Sequence, residues 1–540
     1  MTDVPHRFLS TLAALLLAVL TVVACSPEQQ DAPADAPRWN ILFVFADDWG
    51  RYAGAYADID ARPGINGILH TPNIDLVARE GAVFRHAFAS APSCTPSRSA
   101  LMSGRHFFNT GRGAILKTAV WDGSVPSYPF ALRDAGYRIG KSYKVWRPGH
   151  PADAPFGGQE YAYQGFSERN VKFSRYVSRR MKEGIGLTEA SAEVLDGVRG
   201  NFADFLDDVD EDESWHYLFG PSNTHRTWTE GSAQTLWSID PSALQGQMPA
   251  YLPDVADIRQ DVADYLGEVQ ALDAYVGVLI DELESRGQLD RTLIVLSGDH
   301  GMPGFPHGKA TLYDGGTGVA LIVRVPGGTP GRVVDDFVSL VDIAPTLIEI
   351  AGAPPLDGAD GRSLLPHLLS KDSGQIEADR TQVITGRERH FVSARPGLLP
   401  YPQRALRTED YLYIRNFAPD RWPMGSPQGV ADGPRFADFD GSPTKDWILK
   451  HKDDPAGQVY YRRELLHRPA EELYDLASDP DQIRNLAANP DYVAIRKSLA
   501  ERLIKELELA GDPRLQGDGL HFEKPPFTDT VIDRRKREEK

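Results

Sequence analysis

Asn40-Ile41-Leu42-Phe43-Val44-Phe45-Ala46 runs without a polar interruption after Asn40 into Asp47-Asp48-Trp49-Gly50. An unbroken apolar run of this length suits a strand buried on both faces of a parallel sheet, not the alternating pattern of a half-exposed one. The carboxyl ends of such strands are where open α/β sheets bind ligands. Two adjacent carboxylates there are either ordinary turn residues or a pair held by a cation, and hard oxygen donors suit calcium or magnesium. A second run, Leu293-Ile294-Val295-Leu296-Ser297-Gly298, ends in the same manner, in Asp299-His300-Gly301. Two strands that both end in carboxylates can converge on one metal across a sheet. Further buried-strand patterns at Tyr217–Gly220 and Val319–Val325 place the chain in the α/β class. The expected architecture is a large mixed, mostly parallel sheet sandwiched by helices.

Working outward, Cys94-Thr95-Pro96-Ser97-Arg98-Ser99-Ala100-Leu101-Met102-Ser103-Gly104 reads as a short helix. Thr95 is the expected N-cap, Pro96 suits the first helical position, and Gly104 closes the C-terminus. The positive end of such a helix beside Cys94 favours an anion and a reactive cysteine. The plain alternative is a buried cysteine ahead of a helix. Before it, Asn73–Gly81 has helical apolar spacing with a glycine stop, and Val83–Ala91 is strand-like.

The chain of 540 residues can build a large core and two domains. Its formal net charge of −18 argues against a nucleic-acid partner, so any site for an anion must be locally basic. Residues 1–24 carry His6 and Arg7, an apolar run from Leu12 to Leu20, and the ending Val22-Val23-Ala24-Cys25. That is a secretory signal, and the apolar stretch is short for a membrane span. Its ending resembles a bacterial lipobox, which implies lipidation at Cys25 and an envelope lipoprotein anchored only through lipid; a secreted protein with an ordinary signal is the alternative. Residues 25–38 read as a flexible tether. Of the two cysteines, Cys94 alone then remains for chemistry, and no intramolecular disulfide is possible.

The pattern Cys94-x-Pro96-Ser97-Arg98-x-x-Leu101-x-x-Gly104 is similar to the sulfatase signature C-x-P-S-R-x-x-L-x-T-G, with Ser103 in the threonine position. The resemblance implies that a formylglycine-generating enzyme oxidises Cys94 to formylglycine. As a hydrate this residue offers one hydroxyl to attack sulfur and a second to expel sulfate. It also implies an alkaline-phosphatase-like catalytic domain over 39–385 and one divalent cation, calcium first and magnesium second. The implied ligands are Asp47, Asp48, Asp299, His300 and modified Cys94; asparagine is the commoner residue at the His300 place. Arg98 is expected to hold the nucleophile, and Lys309 and Lys144 to bind sulfate. Gly140–Trp146 matches the family's G-K-x-H element only loosely, leaving Lys141 as a rival for Lys144 and His150 as a displaced imidazole. His225, after the strand Tyr217–Gly220, is expected to protonate the leaving oxygen, with charge added by Arg226.

From about Gly386 short strands alternate with Pro- and Gly-rich turns, as expected for a smaller antiparallel domain over 386–540. Asp491–Ala510 is its expected closing helix, and Arg534–Lys540 a charged tail. Arg387, His390 and Arg404 are candidates for sugar recognition. Glu472-Leu473-Tyr474-Asp475-Leu476 followed by Asp479-Pro480 resembles the family's C-terminal element. Phe305-Pro306 before Lys309, Tyr460-Tyr461, and Tyr401-Pro402-x-Arg404 are nearest the N-sulfoglucosamine sulfohydrolase branch. The implied function is hydrolysis of sulfate esters or N-sulfates on an oligo- or polysaccharide. Two alternatives stand: a phosphonate or phosphate ester hydrolase of the same superfamily, and a non-catalytic glycan-binding lipoprotein.

Overall fold

The computed structural model describes residues 38–165, 172–430 and 433–528. The signal segment, Cys25, nearly all of the tether and the charged tail lie outside these residues. At the centre is a seven-stranded sheet in the order β3-β4-β1-β5-β6-β2-β7. Its strands are β1 (Asn40–Ala46), β2 (Ala82–Phe88), β3 (Tyr137–Tyr143), β4 (Ser214–Gly220), β5 (Thr292–Gly298), β6 (Leu321–Arg324) and β7 (Arg332–Ser339). Neighbours run parallel except at β6, which is antiparallel to both β5 and β2.

Strand β1 is buried along its whole length, as its composition requires. Ile41, Phe43 and Phe45 enter one core layer, and Leu42, Val44 and Ala46 enter the other. The first layer packs against the helix Cys94–Ser103 through Ala100, Leu101 and Met102. The second is covered by the long helix Ala256–Ser285 through Val262, Leu266 and Val269. Sheet and flanking helices thus form the sandwich expected from the apolar runs.

Register decides where the acids emerge. β1 and β5 pair from Asn40↔Thr292 to Ala46↔Gly298, and the Asp299 amide still donates to the Ala46 carbonyl at 3.1 Å. Asp47 and Asp299 therefore leave the sheet side by side. On the other flank β4 pairs with β1, and β3 ends against it at Tyr143↔Gly220. Four adjacent strands thus deliver Lys144, the segment 222–226, Asp47-Asp48 and Asp299-His300 to one edge.

A second sheet, antiparallel in the order β11-β10-β9-β8, is formed by β8 (Gln382–Arg387), β9 (Gln403–Thr408), β10 (Tyr411–Asn416) and β11 (Glu471–Asp475). It begins at Gln382, a few residues ahead of the expected boundary. The helix Val493–Leu509 buries Leu499, Leu503 and Leu507 and covers this sheet. Helices Pro443–Lys450 and Pro455–Leu465 were not foreseen. Among the described residues no helix is long and apolar enough to cross a membrane.

Candidate active site

The helix carrying the cysteine is capped differently from expectation. Ser93 is the N-cap (φ −158°, ψ 134°), Cys94 is already helical, and the chain leaves at Gly104 with φ 69°, a left-handed conformation glycine adopts without strain. Pro96 falls within the first turn, where its missing N–H removes no intrahelical bond. Thr95 caps nothing: its hydroxyl is buried without a partner. The Ser93 hydroxyl is instead 2.8 Å from His390 Nδ1.

Around Cys94 the strand ends close into one cluster. His300 Nε2 is 3.3 Å from Cys94 Sγ, 3.2 Å from Asp48 Oδ1 and 3.5 Å from Asp299 Oδ1. The Asp48 amide donates to Asp299 Oδ1 at 2.8 Å, and Asp48 itself has φ 60°, a region aspartate tolerates better than most residues. His300 Nδ1 faces the Gly301 carbonyl at 3.1 Å. A carbonyl can only accept, so this contact assigns the ring proton to Nδ1 and leaves the Nε2 lone pair for the cluster.

These donors fit a hard divalent cation. The donor atoms of Asp48, Cys94 and His300, of Asp47, Cys94 and Asp299, and of Asp47, Asp48 and His225 each lie within 4.8 Å of one another. Apart from His225 they are all buried, and three converging carboxylates repel each other without a positive charge between them.

Cations already press on the same oxygens. Lys144 Nζ bonds Asp47 Oδ1. Lys309 Nζ is 3.0 and 3.1 Å from the two oxygens of Asp48 and 3.3 Å from Asp440 Oδ2. Arg98 is wholly buried, 2.8 Å through Nε from Asp299 Oδ2 and 3.8 Å from Asp47 Oδ1, and it donates to the Lys144 and Val145 carbonyls. Arg98 therefore ties the ligand carboxylates to the loop after β3. Burial works to raise the Asp47 carboxyl, but Lys144, His225 and Arg98 hold it well below the usual carboxylate range. For Cys94 the balance is opposite: burial, reinforced by Asp47, pushes the thiol well above its ordinary value.

Above the cluster lies a cavity of about 870 Å³ with Cys94 and Asp47 in its lining. Lys144 lines it, whereas Lys141 points elsewhere, to Gly157 O and Asp153. His150 is exposed and does not line it. His225 does; its side chain keeps 36% exposure, with Nε2 3.9 Å from Asp48 Oδ2 and Nδ1 2.6 Å from the Arg226 carbonyl. By the same tautomer argument Nδ1 carries a proton and Nε2 faces the cavity.

Three residues depart from their expected roles. Arg226 reaches the cavity, but its guanidinium is closed by a bidentate pair to Asp261 at 2.8 Å. Arg387 is buried, bonded to Asp438 and the Ala310 and Pro423 carbonyls, and does not line the cavity. Arg404 is fully buried between Asp512 (2.6 Å) and Glu388 (2.8 Å). These last two arginines hold the second sheet together and do not meet a sugar. Arg404→Ala is expected to destabilise the fold by about 3–5 kcal/mol, because it leaves the buried Asp512 without its ion-pair partner, while Glu388 keeps Arg514; urea unfolding checks this. Of the sugar candidates, only His390 and Arg226 border the cavity.

Lys172 was missed. Its ammonium donates to the Ser222 (3.2 Å), Arg226 (2.9 Å) and His225 carbonyls, so it clamps the loop that presents His225. Burial brings it down to about 8. Backbone partners leave no mark in a sequence. Lys172→Met is expected to slow hydrolysis of a poor leaving group about tenfold more than that of an activated aryl sulfate, since only the former needs a well-placed acid; paired kcat values check this.

Comparison with known proteins adds four findings. The Sulfatase family model matches residues 39–353. An ulvan-active sulfatase of Formosa agariphila is 26% identical over 501 residues, covering 88% of this chain and 76% of that one. The human N-sulphoglucosamine sulphohydrolase is 27% identical over 503 residues, covering 86% and 89%. Among solved structures, BT4656 in complex with its substrate D-glucosamine-2-N,6-O-disulfate superposes with a TM-score of 0.59 at 19% identity, covering 88% of this chain and 98% of that one. That likeness concerns the fold.

Proposed function

The chain belongs to the sulfatase family, and on that premise we propose that it is an exported hydrolase removing sulfate from a sulfated oligo- or polysaccharide. The observation that carries this reading is local. In a chain of net charge −18, two separated strand ends bring three carboxylates and His300 around residue 94, at the floor of a cavity lined by lysines. The names of the relatives, one acting on ulvan and one on N-sulphoglucosamine, support a carbohydrate substrate and leave open whether the sulfate is on oxygen or nitrogen.

Asp47, Asp48, Asp299 and His300 would hold one divalent cation, calcium by preference for so many carboxylate oxygens, with residue 94 beside it. When bound, the cation supplies charge stabilisation to sulfate oxygens as a Lewis acid. Residue 94 as formylglycine hydrate supplies the nucleophilic hydroxyl, with a second hydroxyl to expel sulfate. A maturing enzyme that oxidises Cys94 is thus a required partner. The remaining work falls to side chains already in place. Lys144 and Lys309 neutralise the sulfate oxygens, a charge effect that grows as the cavity excludes water. Arg98 fixes Asp299 and the loop after β3. His225 acts from its imidazolium form: with its Nδ1–H held by the Arg226 carbonyl, it gives its Nε2 proton to the leaving oxygen and is left as the neutral Nδ1–H ring. We further infer, from the ending at Cys25, a lipid-anchored protein of the bacterial envelope.

The test is paired turnover of matched sulfate and phosphate monoesters by the matured protein. A higher kcat/KM for the sulfate is expected. Preference for the phosphate or a phosphonate would reassign the reaction, and absence of turnover with formylglycine present would make the protein a glycan binder.

A further inference from the structure

Among the described residues, the lining of this cation-rich cavity includes two carboxylates, Asp47 and Asp440. Asp47 is 2% exposed and closed by Lys144 and Arg98. Asp440 is different. Its Oδ2 is buried, 3.3 Å from Lys309 Nζ, yet 29% of the side chain stays exposed, so the opening falls on the Oδ1 side. Lys309 is the one residue paired with this carboxylate among the described residues. Lys309 already has another counterion, since its ammonium spans both oxygens of Asp48 at 3.0 and 3.1 Å. Burial works against the charge of Asp440, but Lys309 and His390 hold its carboxyl well below the usual carboxylate range. It can therefore only accept hydrogen bonds. The turn that presents it is fixed from both sides. Asp438 pairs with Arg387 and Arg395, and Lys445 donates to the Phe436 and Phe439 carbonyls at 2.9 and 2.6 Å. The Ser442 hydroxyl donates to the Gly304 carbonyl and accepts from the Lys445 amide as N-cap of the helix Pro443–Lys450.

A carboxylate held open in the wall of an anion site repels further negative charge and rewards a neutral donor, and its fixed turn removes the cost of ordering it. We propose that Asp440 sets the specificity of the site by accepting a hydrogen bond from a free hydroxyl beside the sulfate on the same sugar. Lys309 alone separates this carboxylate from the sulfate oxygens that Lys309 neutralises, so the group that reaches Asp440 is a near neighbour of the sulfate. The preferred substrate thus carries a sulfate flanked by an unsubstituted hydroxyl, and a sugar sulfated at both positions is disfavoured. The inference deepens the sulfatase reading and rests on it for the role of Lys309.

The probes are monosulfated methyl glycosides: O-sulfated glucose and galactose, and N-sulfated glucosamine. For the tightest binder, each hydroxyl next to the sulfate is in turn replaced by hydrogen or sulfated. Binding is measured by calorimetry on the Cys94→Ala protein, with and without Asp440→Asn, and turnover on the matured enzyme. Loss of one such hydroxyl is expected to weaken binding about 10- to 100-fold, the scale of a hydrogen bond to a charged group, and a sulfate there to weaken it at least as much. In Asp440→Asn both gaps should largely close, because the amide oxygen accepts without charge and does not repel. A role confined to neutralising Lys309 would instead shift every ligand by the same factor. That outcome, or equal affinity of the parent for the hydroxyl and deoxy forms, overturns the assignment; the second comparison needs no substitution at Asp440, so a folding defect cannot mask it. If the gaps appear in binding but formylglycine-bearing enzyme hydrolyses none of the probes, the sulfatase reading fails and the role of Asp440 stands. Hydrolysis with no gap does the reverse.

Discussion

Replacing Cys94 by alanine leaves a folded protein whose sulfate release falls by a factor on the order of 10⁴ or more, the scale seen when a covalent nucleophile is removed. The fold survives because the helix is held by Ala100, Leu101 and Met102 in the core and by Arg98 on Asp299. Cys94 adds only its sulfur, set between Asp48 and His300. Circular dichroism and thermal unfolding should therefore match the parent while turnover disappears. Cys94→Ser sharpens the point. A serine hydroxyl can accept sulfate once but has no second hydroxyl with which to expel it, so the expected result is at most a single turnover per site. Steady hydrolysis by either variant would mean that residue 94 is not the nucleophile.

Stripping divalent ions is the second large effect. Turnover is expected to fall on the order of 10³-fold on chelation and to return on adding calcium, because several kcal/mol of charge stabilisation are withdrawn. Among the proposed ligands, His300 offers the cleanest variant. Asp47, Asp48 and Asp299 each neutralise a buried cation, Lys144, Lys309 and Arg98 respectively, so replacing any of them also exposes an unpaired charge. His300→Ala removes a proposed ligand without that complication. It should weaken the half-maximal calcium concentration by a factor on the order of 10², while unfolding in chelator stays close to the parent's. An unchanged calcium dependence would place the cation elsewhere.

How much of this was legible in the chain depended on the kind of signal. Strands β1 and β5 announce themselves because burial on both faces leaves no room for polar residues, and their endings expose Asp47, Asp48, Asp299 and His300 in order. Gly104 was readable as a helix stop for a similarly local reason. The cap was not: Ser93 and Thr95 both carry hydroxyls, and the choice follows from where helical geometry begins, with the Ser93 hydroxyl drawn to His390, a partner 297 residues away. Arginines were the least legible. Whether Arg387 and Arg404 meet a sugar or a carboxylate is decided by Asp438, Asp512 and Glu388, whose positions only the folded second sheet fixes. Lys141 and Lys144 are three residues apart: Lys141 lies within β3 and turns to Asp153, while Lys144, one residue past the strand's end, meets Asp47. Asp440, which shares Lys309 with Asp48, came from a turn with no pattern to mark it.

The most direct test of the account is the mass of the peptide carrying residue 94, taken from enzyme that is releasing sulfate. Oxidation of cysteine to formylglycine lowers that mass by about 18 Da, and the modified fraction should rise in proportion to specific activity across preparations. Fully active enzyme with an intact thiol at residue 94 would contradict it.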